Sequence, residues 1–188
     1  MIYAVIPTGS RPVEYQSVYD WCINKGVVPI TIATSTQAIA YAKKVALAGE
    51  GLNISRWWNV GINYALKQGD AEIILVLNDD VSLPEGWLES IVEAIRAGYT
   101  GASTDRAPGR NTIAGYAFGL DAKAKVRADE QLVWWYGDDD IQRQCEQLGG
   151  WGFIPNDGVG NKYGDSSYER FEHQIQLDRV YYEKKWAA

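Results

Sequence analysis

Residues 74–81 read ILVLNDDV, a branched apolar run that stops on Asn78, Asp79 and Asp80. Adjacent carboxylates at the mouth of a buried strand repel each other and lose hydration, which is costly unless a cation or hydrogen-bond donors offset the charge. A hard divalent ion bridging carboxylate and phosphate oxygens would supply that charge. A solvated turn is the competing reading, since Asn-Asp-Asp is also turn chemistry. A second acidic group, WWYGDDDI at 134–141, sets Asp138 and Asp139 directly after Trp134, Trp135 and Tyr136. A carboxylate there suits a general base and equally the electropositive start of a helix. The flat aromatic faces suit either a sugar platform or a core, and strict alternation would put Trp134 and Tyr136 on one face and Trp135 on the other.

The elements that must position these groups follow from hydrophobic spacing. IYAVIP (2–7), VVPITIA (27–33) and AEIILVL (71–77) read as buried strands, the last as the central one. Helical spacing is found at 13–24, in the alanine-rich stretch 37–48, at 56–67 with Ser55 as cap, and at 84–98, which opens on Pro and acidic residues and ends on Arg and Gly. Strands alternating with helices through short loops predict an α/β fold with a mostly parallel central sheet flanked by helices. The second half changes character. Glycines and aromatics crowd GRNTIAGYAFGL, a helix is predicted over 138–149, residues 156–167 are loop-rich, and a closing helix is expected from Tyr168 to Trp186. Neither a repeat nor a linker divides the chain, so residues 1–188 are expected to form one domain, with ligand chemistry in the first half (about 1–105) and the other wall of a cleft in the second (about 106–188).

Bulk properties narrow the function classes. The 188 residues are 46% hydrophobic and 22% charged, ordinary for a soluble globular protein, while 8 Trp and 12 Tyr are an unusual supply of flat rings. A net charge of −6 lacks the broad positive field that attracts nucleic acid, which argues against a DNA acceptor or partner. Cys22 and Cys145 lack metal-type spacing and read as free thiols. With no long apolar span and no basic-then-apolar leader, a cytoplasmic location is expected.

Four segments, in order, resemble glycosyltransferases of family 2 with the GT-A (Rossmann-like) fold. VIPTGSRP is similar to that family's first strand and nucleotide loop, NISRWWNVGINYAL to the segment before its metal motif, LNDDV followed by PEGWLE to the metal motif itself, and ADEQLVWWYGDDDI to the region of its catalytic base. The ending LDRVYYEKKW resembles the close of small, often bacteriophage-encoded members, which would place the protein in a host cytoplasm. The resemblance implies a metal-dependent, inverting transfer of a sugar from a nucleoside-diphosphate sugar, a UDP-sugar as first guess, to an acceptor hydroxyl on a glycan, protein or modified nucleobase. It implies Asp80 as ligand to Mn²⁺ or Mg²⁺, with Asp79 toward the ribose or sugar and Asn78 in place of the usual first aspartate. Pro7, Thr8 and Arg11 would border the base and ribose, with Arg56 and Asn59 close to the nucleotide; surface ion pairing is the plainer reading of both arginines. Asp138 would be the base, with Asp139 as runner-up because Gly137 stands where the family often has glutamate. Trp134, Trp135 or Tyr136 would floor the acceptor site, and Trp57 and Trp58 read as core. Asn161 falls where relatives carry a metal-binding histidine, whereas His173, the lone histidine, reads as a surface residue.

Two other classes compete. A nucleotidyltransferase would carry a glycine-rich basic loop after the first strand, for which PTGSRP is too short. A sugar-binding module of stacked aromatics would be all-β, against the helix signals here.

Overall fold

The computed structural model describes residues 1–42, 45–47, 51–106, 109, 111–155, 158–162 and 168–187. In chain order the elements are β1 (Ile2–Thr8), α1 (Pro12–Asn24), β2 (Val28–Ala33), α2 (Thr36–Tyr41), β3 (Val45–Leu47), α3 (Ile54–Lys67), β4 (Ile73–Leu77), β5 (Val81–Ser82), α4 (Trp87–Arg96), β6 (Gly101–Asp105), β7 (Ile113–Asp121), a 3₁₀ turn (Ala122–Ala124), α5 (Gly137–Leu148), β8 (Trp151–Ile154), β9 (Gly160–Asn161) and α6 (Tyr168–Trp186). Seven strands form one sheet in the order β3-β2-β1-β4-β7-β6-β8, and β5 pairs with β9 in a separate ribbon. Within the sheet only β7 runs antiparallel to its neighbours, so the mostly parallel arrangement expected from the alternation is present.

β4 is the central strand and all five of its residues are buried. Side chains alternate across a strand with period two, so Ile74 and Val76 face one layer and Ile73, Leu75 and Leu77 the other. The first layer packs under α3 and α5 through Trp58, Ile62, Ile141 and Cys145. The second packs under α1 and α4 through Tyr15, Val18, Leu88 and Ile91, with Cys22 among them. The two cysteines thus lie in different layers, both buried and free. No helix among the described residues is long and apolar enough to cross a membrane.

Several expected boundaries move. The helix expected over 37–48 ends at Tyr41, and Val45–Leu47 is a strand; residues 43, 44 and 48–50 of that stretch lie outside the described residues. Alanine is the strongest helix former, but propensity yields to tertiary pairing, and the open edge of β2 offers Val45–Leu47 a parallel ladder opposite Thr31–Ala33. Asn53, rather than Ser55, caps α3, its side chain accepting the Arg56 N–H at 2.8 Å. α4 starts at Trp87, not Pro84, because Gly86 enters at φ +83°. β6, β7 and β8 were not legible as strands; their glycines mark close packing. Gly119, for example, lies beneath Ile91 of α4.

Gly61 has the tightest such role in the first half. A Cβ there would overlap the Val5 side chain where α3 crosses β1. Gly61→Ala is therefore expected to lower stability by about 1–3 kcal/mol through overpacking, read as a lower urea midpoint with unchanged slope.

Candidate active site

Parallel strands of an open sheet deliver their carboxyl ends to one rim, where ligands bind. Here a cavity of ≈ 520 Å³ opens beyond the ends of β1 and β4. Pro7, Thr8 and Arg11 line it from the end of β1, and Asn78, Asp79 and Asp80 from the end of β4. Asp79 and Asp80 are only 8% and 5% exposed. Thr8 Oγ1 donates to Asp79 Oδ2 at 2.8 Å and shares a hydrogen bond of 2.9 Å with the Tyr41 hydroxyl. Arg11 Nη1 lies 2.5 Å from Asp80 Oδ2 and 3.5 Å from Asp79 Oδ1. Burial pushes the Asp79 carboxyl up to about 6, against the lowering influence of the Thr8 hydrogen bond and the Arg11 charge. The carboxylate pair therefore already draws one cation to itself.

Strand pairing brings the third oxygen donor. Val81 is opposite Asn161 in the β5–β9 ribbon, the Asp80 carbonyl accepts the Lys162 N–H at 3.2 Å, and Asn161 lines the same cavity. Among the described residues no three His, Cys, Asp or Glu side chains cluster as a metal cage. Two carboxylates and an amide oxygen are nonetheless a hard donor set. They suit a divalent ion that keeps water and takes its remaining ligands from a diphosphate.

The opposite wall is built at the start of α5. Tyr136 turns the chain at φ +62°, and α5 begins at Gly137, where a Cβ would come within 2.6 Å of Ser55 Oγ. The absence of a side chain at 137 thus has a steric cause: α3 occupies the space. Next comes Asp138, which lines the cavity; a Cβ on Gly115 of β7 would overlap its carboxylate. Arg106 Nη2 is 4.0 Å from Asp138 Oδ2. Burial raises the Asp138 carboxyl above the ordinary carboxylate range, with Arg106 opposing. Asp139 is pushed up to about 7 by burial and then by the Asp138 charge, but it is not part of the cavity lining.

The aromatics divide differently from the alternation expected of them. Trp134 and Trp135 both line the cavity, Trp134 packing on Phe171 of α6 with ring centroids 4.5 Å apart. Tyr136 is absent from the lining and stacks on Tyr182 at 5.1 Å. The segment is no strand, so period two does not apply. Trp57 and Trp58 are buried as expected, yet both also border the cavity. His173 is exposed on α6.

Arg56 and Asn59 are the other predicted residues placed off the cavity. Arg56 Nε donates to Glu130 Oε2 at 3.2 Å. Asn59 Nδ2 donates to the Ala128 carbonyl at 2.9 Å while its Oδ1 accepts the Ala128 N–H at 3.0 Å. They fasten the 128–130 segment to α3. Lining residues that sequence reasoning passed over include Gln37, Arg106, Tyr116, Arg170 and Phe171. An arginine–aromatic pair in YERFEHQ was the available signal for the last two, and the glycine pattern of β7 the signal for Tyr116.

No protein-family model matches the chain, and no curated protein matches its sequence. Solved structures do match in shape. Glucosyl-3-phosphoglycerate synthase from Mycobacterium tuberculosis superposes with a TM-score of 0.60 at 12% identity, over 86% of this chain and 72% of that one. The catalytic domain of Drosophila β1,4-galactosyltransferase 7 gives 0.56 at 14% identity, over 90% and 72%. A candidate nucleotide-diphospho-sugar transferase from Desulfovibrio desulfuricans gives 0.52 at 12% identity, over 96% and 97%. The chain has the GT-A fold. In GT-A terms the cavity lies at the rim where the parallel strands end, between the β1/β4 acidic pair and the α5 carboxylate.

The raised carboxyls carry a stability consequence. A carboxyl whose folded value exceeds its unfolded value near 4 favours folding when protonated; that advantage is whole below the unfolded value and lost as pH rises through the folded one, about 7 for Asp139. Asp139→Asn, which holds the neutral form, is expected to stabilise the protein at pH 8 far more than at pH 4. Equal effects on the urea midpoint at both pH values would contradict this assignment.

Proposed function

We propose that the protein is an inverting glycosyltransferase that moves a sugar from a nucleoside-diphosphate sugar to an acceptor hydroxyl with the help of Mn²⁺ or Mg²⁺. The observation that carries this reading is that one cavity is lined both by Asp79, Asp80 and Asn161 and by Asp138 at the helix start. It is further supported by the fold shared with nucleotide-diphospho-sugar transferases, of which the Mycobacterium tuberculosis synthase was crystallised with Mn²⁺ and UDP.

In this reading the first half binds the donor. Pro7 and Thr8 border the base and ribose, Asn78 lies beside them, and Asp79, tied to Thr8, serves the ribose or sugar hydroxyls. Asp80 and Asn161 would hold the divalent ion, which when bound supplies positive charge to the departing diphosphate. Arg11 adds a guanidinium for the same charge once its pairing with Asp80 is shared with the ligand. A UDP-sugar is the donor tested first.

The second half binds the acceptor against Trp134 and Trp135 and activates it through Asp138. The acceptor oxygen forms its bond to the anomeric carbon as the bond from that carbon to the diphosphate oxygen breaks; the hydroxyl proton passes to the Asp138 carboxylate, and the nucleoside diphosphate leaves with the bonding pair. Attack from the face opposite the leaving group inverts the centre. A carboxyl raised by burial is a stronger base when ionised than a solvated one, which suits proton abstraction near neutral pH. Asp138 is favoured over Asp139 because only Asp138 faces the cavity. Arg56 and Asn59 serve the reaction by holding the acceptor segment, outside ligand contact.

Asp80→Ala is expected to abolish Mn²⁺-dependent UDP binding in titration calorimetry. Asp138→Asn is expected to keep that binding and lose at least about a hundredfold in donor turnover, the scale of removing a general base. Full turnover by Asp138→Asn would remove Asp138 from the mechanism. Gly115→Ala, which forces the Asp138 carboxylate aside, is expected to follow the same pattern: UDP retained, turnover reduced.

A further inference from the structure

Asp178 is a carboxylate of α6 that is 1% exposed and lies outside the cavity lining. Its Oδ2 accepts the backbone N–H groups of Trp134 at 2.7 Å and Trp135 at 2.8 Å. Its Oδ1 accepts the Val133 N–H at 3.1 Å and Gln174 Nε2 at 2.7 Å. Burying an ionised group is costly without such donors, and three consecutive amides on one carboxylate make an unusually complete set. Those amides belong to a stretch, residues 125–136, that is neither helix nor strand and has no ladder to satisfy it.

The carbonyls of the same stretch are committed elsewhere. Glu130 O accepts from Asn53 Nδ2 at 2.8 Å, Leu132 O from Ser55 Oγ at 2.6 Å, and Val133 O from the Ile54 N–H at 2.8 Å. The segment is therefore held by α3 through its carbonyls and by α6 through its amides. Downstream of Asp138 the same helix takes hold again: buried Asp140 accepts from Lys185 Nζ at 2.7 Å and Trp186 Nε1 at 3.0 Å. Tyr182 of α6 stacks on Tyr136 between these two ties.

We propose that Asp178 is a positioning residue: through the amides of 133–135 it sets the Trp134–Trp135 wall and the entry of α5, and so aims Asp138 into the cavity. Its functional part rests on the glycosyl-transfer reading. Among the described residues the hydrogen-bond partners of Asp178 are Val133, Trp134, Trp135 and Gln174, none of them on the wall formed by Asp79, Asp80 and Asn161. Loss of its carboxylate should therefore separate donor binding from donor turnover.

The test uses the full-length chain with Asp178→Asn, which keeps the shape but turns one acceptor oxygen into a donor facing amide hydrogens. Hydrogen exchange of the 133–135 amides is expected to speed by at least about tenfold while β1 and β4 keep their protection. UDP affinity in Mn²⁺ should stay within about twofold and UDP-sugar turnover fall at least about tenfold, the split expected of displaced chemistry with intact donor binding. The acid limb of the pH–rate profile should shift as well, because Asp138 changes its burial. Gln174→Leu, a milder loss on the same carboxylate, should move each readout the same way and less, which keeps the test decisive if Asp178→Asn does not fold. Faster exchange with unchanged turnover and an unchanged acid limb would overturn the proposal, leaving Asp178 a purely structural tie. UDP affinity falling in step with turnover would overturn it too. A parent protein that binds no nucleoside diphosphate with Mn²⁺ or Mg²⁺ overturns the transfer reading itself, and the exchange result then decides whether Asp178 holds the segment at all.

Discussion

Buried carboxylates set the terms of this structure. β4 is apolar over its whole length, and the chain leaves it on Asp79 and Asp80, which have little access to water. Charge in such a place has to be answered locally, and Arg11, Thr8 and the β5–β9 ribbon all converge there. The central strand and the acidic rim are therefore one arrangement. Without a strand buried on both faces the carboxylates would sit in water, and their demand for a cation would weaken with the higher dielectric. With it, the rim holds a standing preference for positive charge where the parallel strands end.

The second half meets the same problem with different means. It has no run of parallel strands to fix the wall opposite the rim; its helix α5 starts from an irregular segment with a left-handed residue at its entry. Precision there comes from backbone hydrogen bonds to side chains of two flanking helices: Ser55 and Asn59 on α3 with its cap Asn53, and Asp178 on α6. Glycines complete the fit where helix and strand approach too closely for a Cβ, at 137 against Ser55 and at 115 beneath Asp138. Apolar packing alone would hold such a segment in place but leave its amides and carbonyls unsatisfied, at a cost of about 1–3 kcal/mol for each buried group.

Much of the first half was legible because its physics is periodic. Branched apolar runs ending in Pro7 or Asn78 read as buried strands, and the order of strand and helix then implied a parallel sheet. The second half was less legible because its determinants are contacts between distant residues. Nothing local in the sequence marks Asp178, one acid among several on a polar helix, as the partner of amides 45 to 43 positions away. Likewise Arg56 and Asn59 were legible as polar residues on the right helix but not in their direction, since they turn to residues 128–130. The alanine-rich stretch at 37–48 misled for a related reason: a strand edge in need of a partner outweighed the local helical preference.

The two halves differ in what disturbs them. The rim depends on a single strand end and a charge balance, so a change in one carboxylate acts directly on that balance. The wall in the second half depends on a mesh in which Asp178, Asn59 and Ser55 bond backbone groups of residues 128–135 while Asp140, one turn into α5, is held by Lys185 and Trp186 of α6. Such networks are non-additive: losing one member loosens the others, because the amides it held must find acceptors among groups already committed. Asp138 follows that mesh directly in the chain and is therefore the group that a loosening of α6 reaches, while the rim at the end of β4 lies outside it.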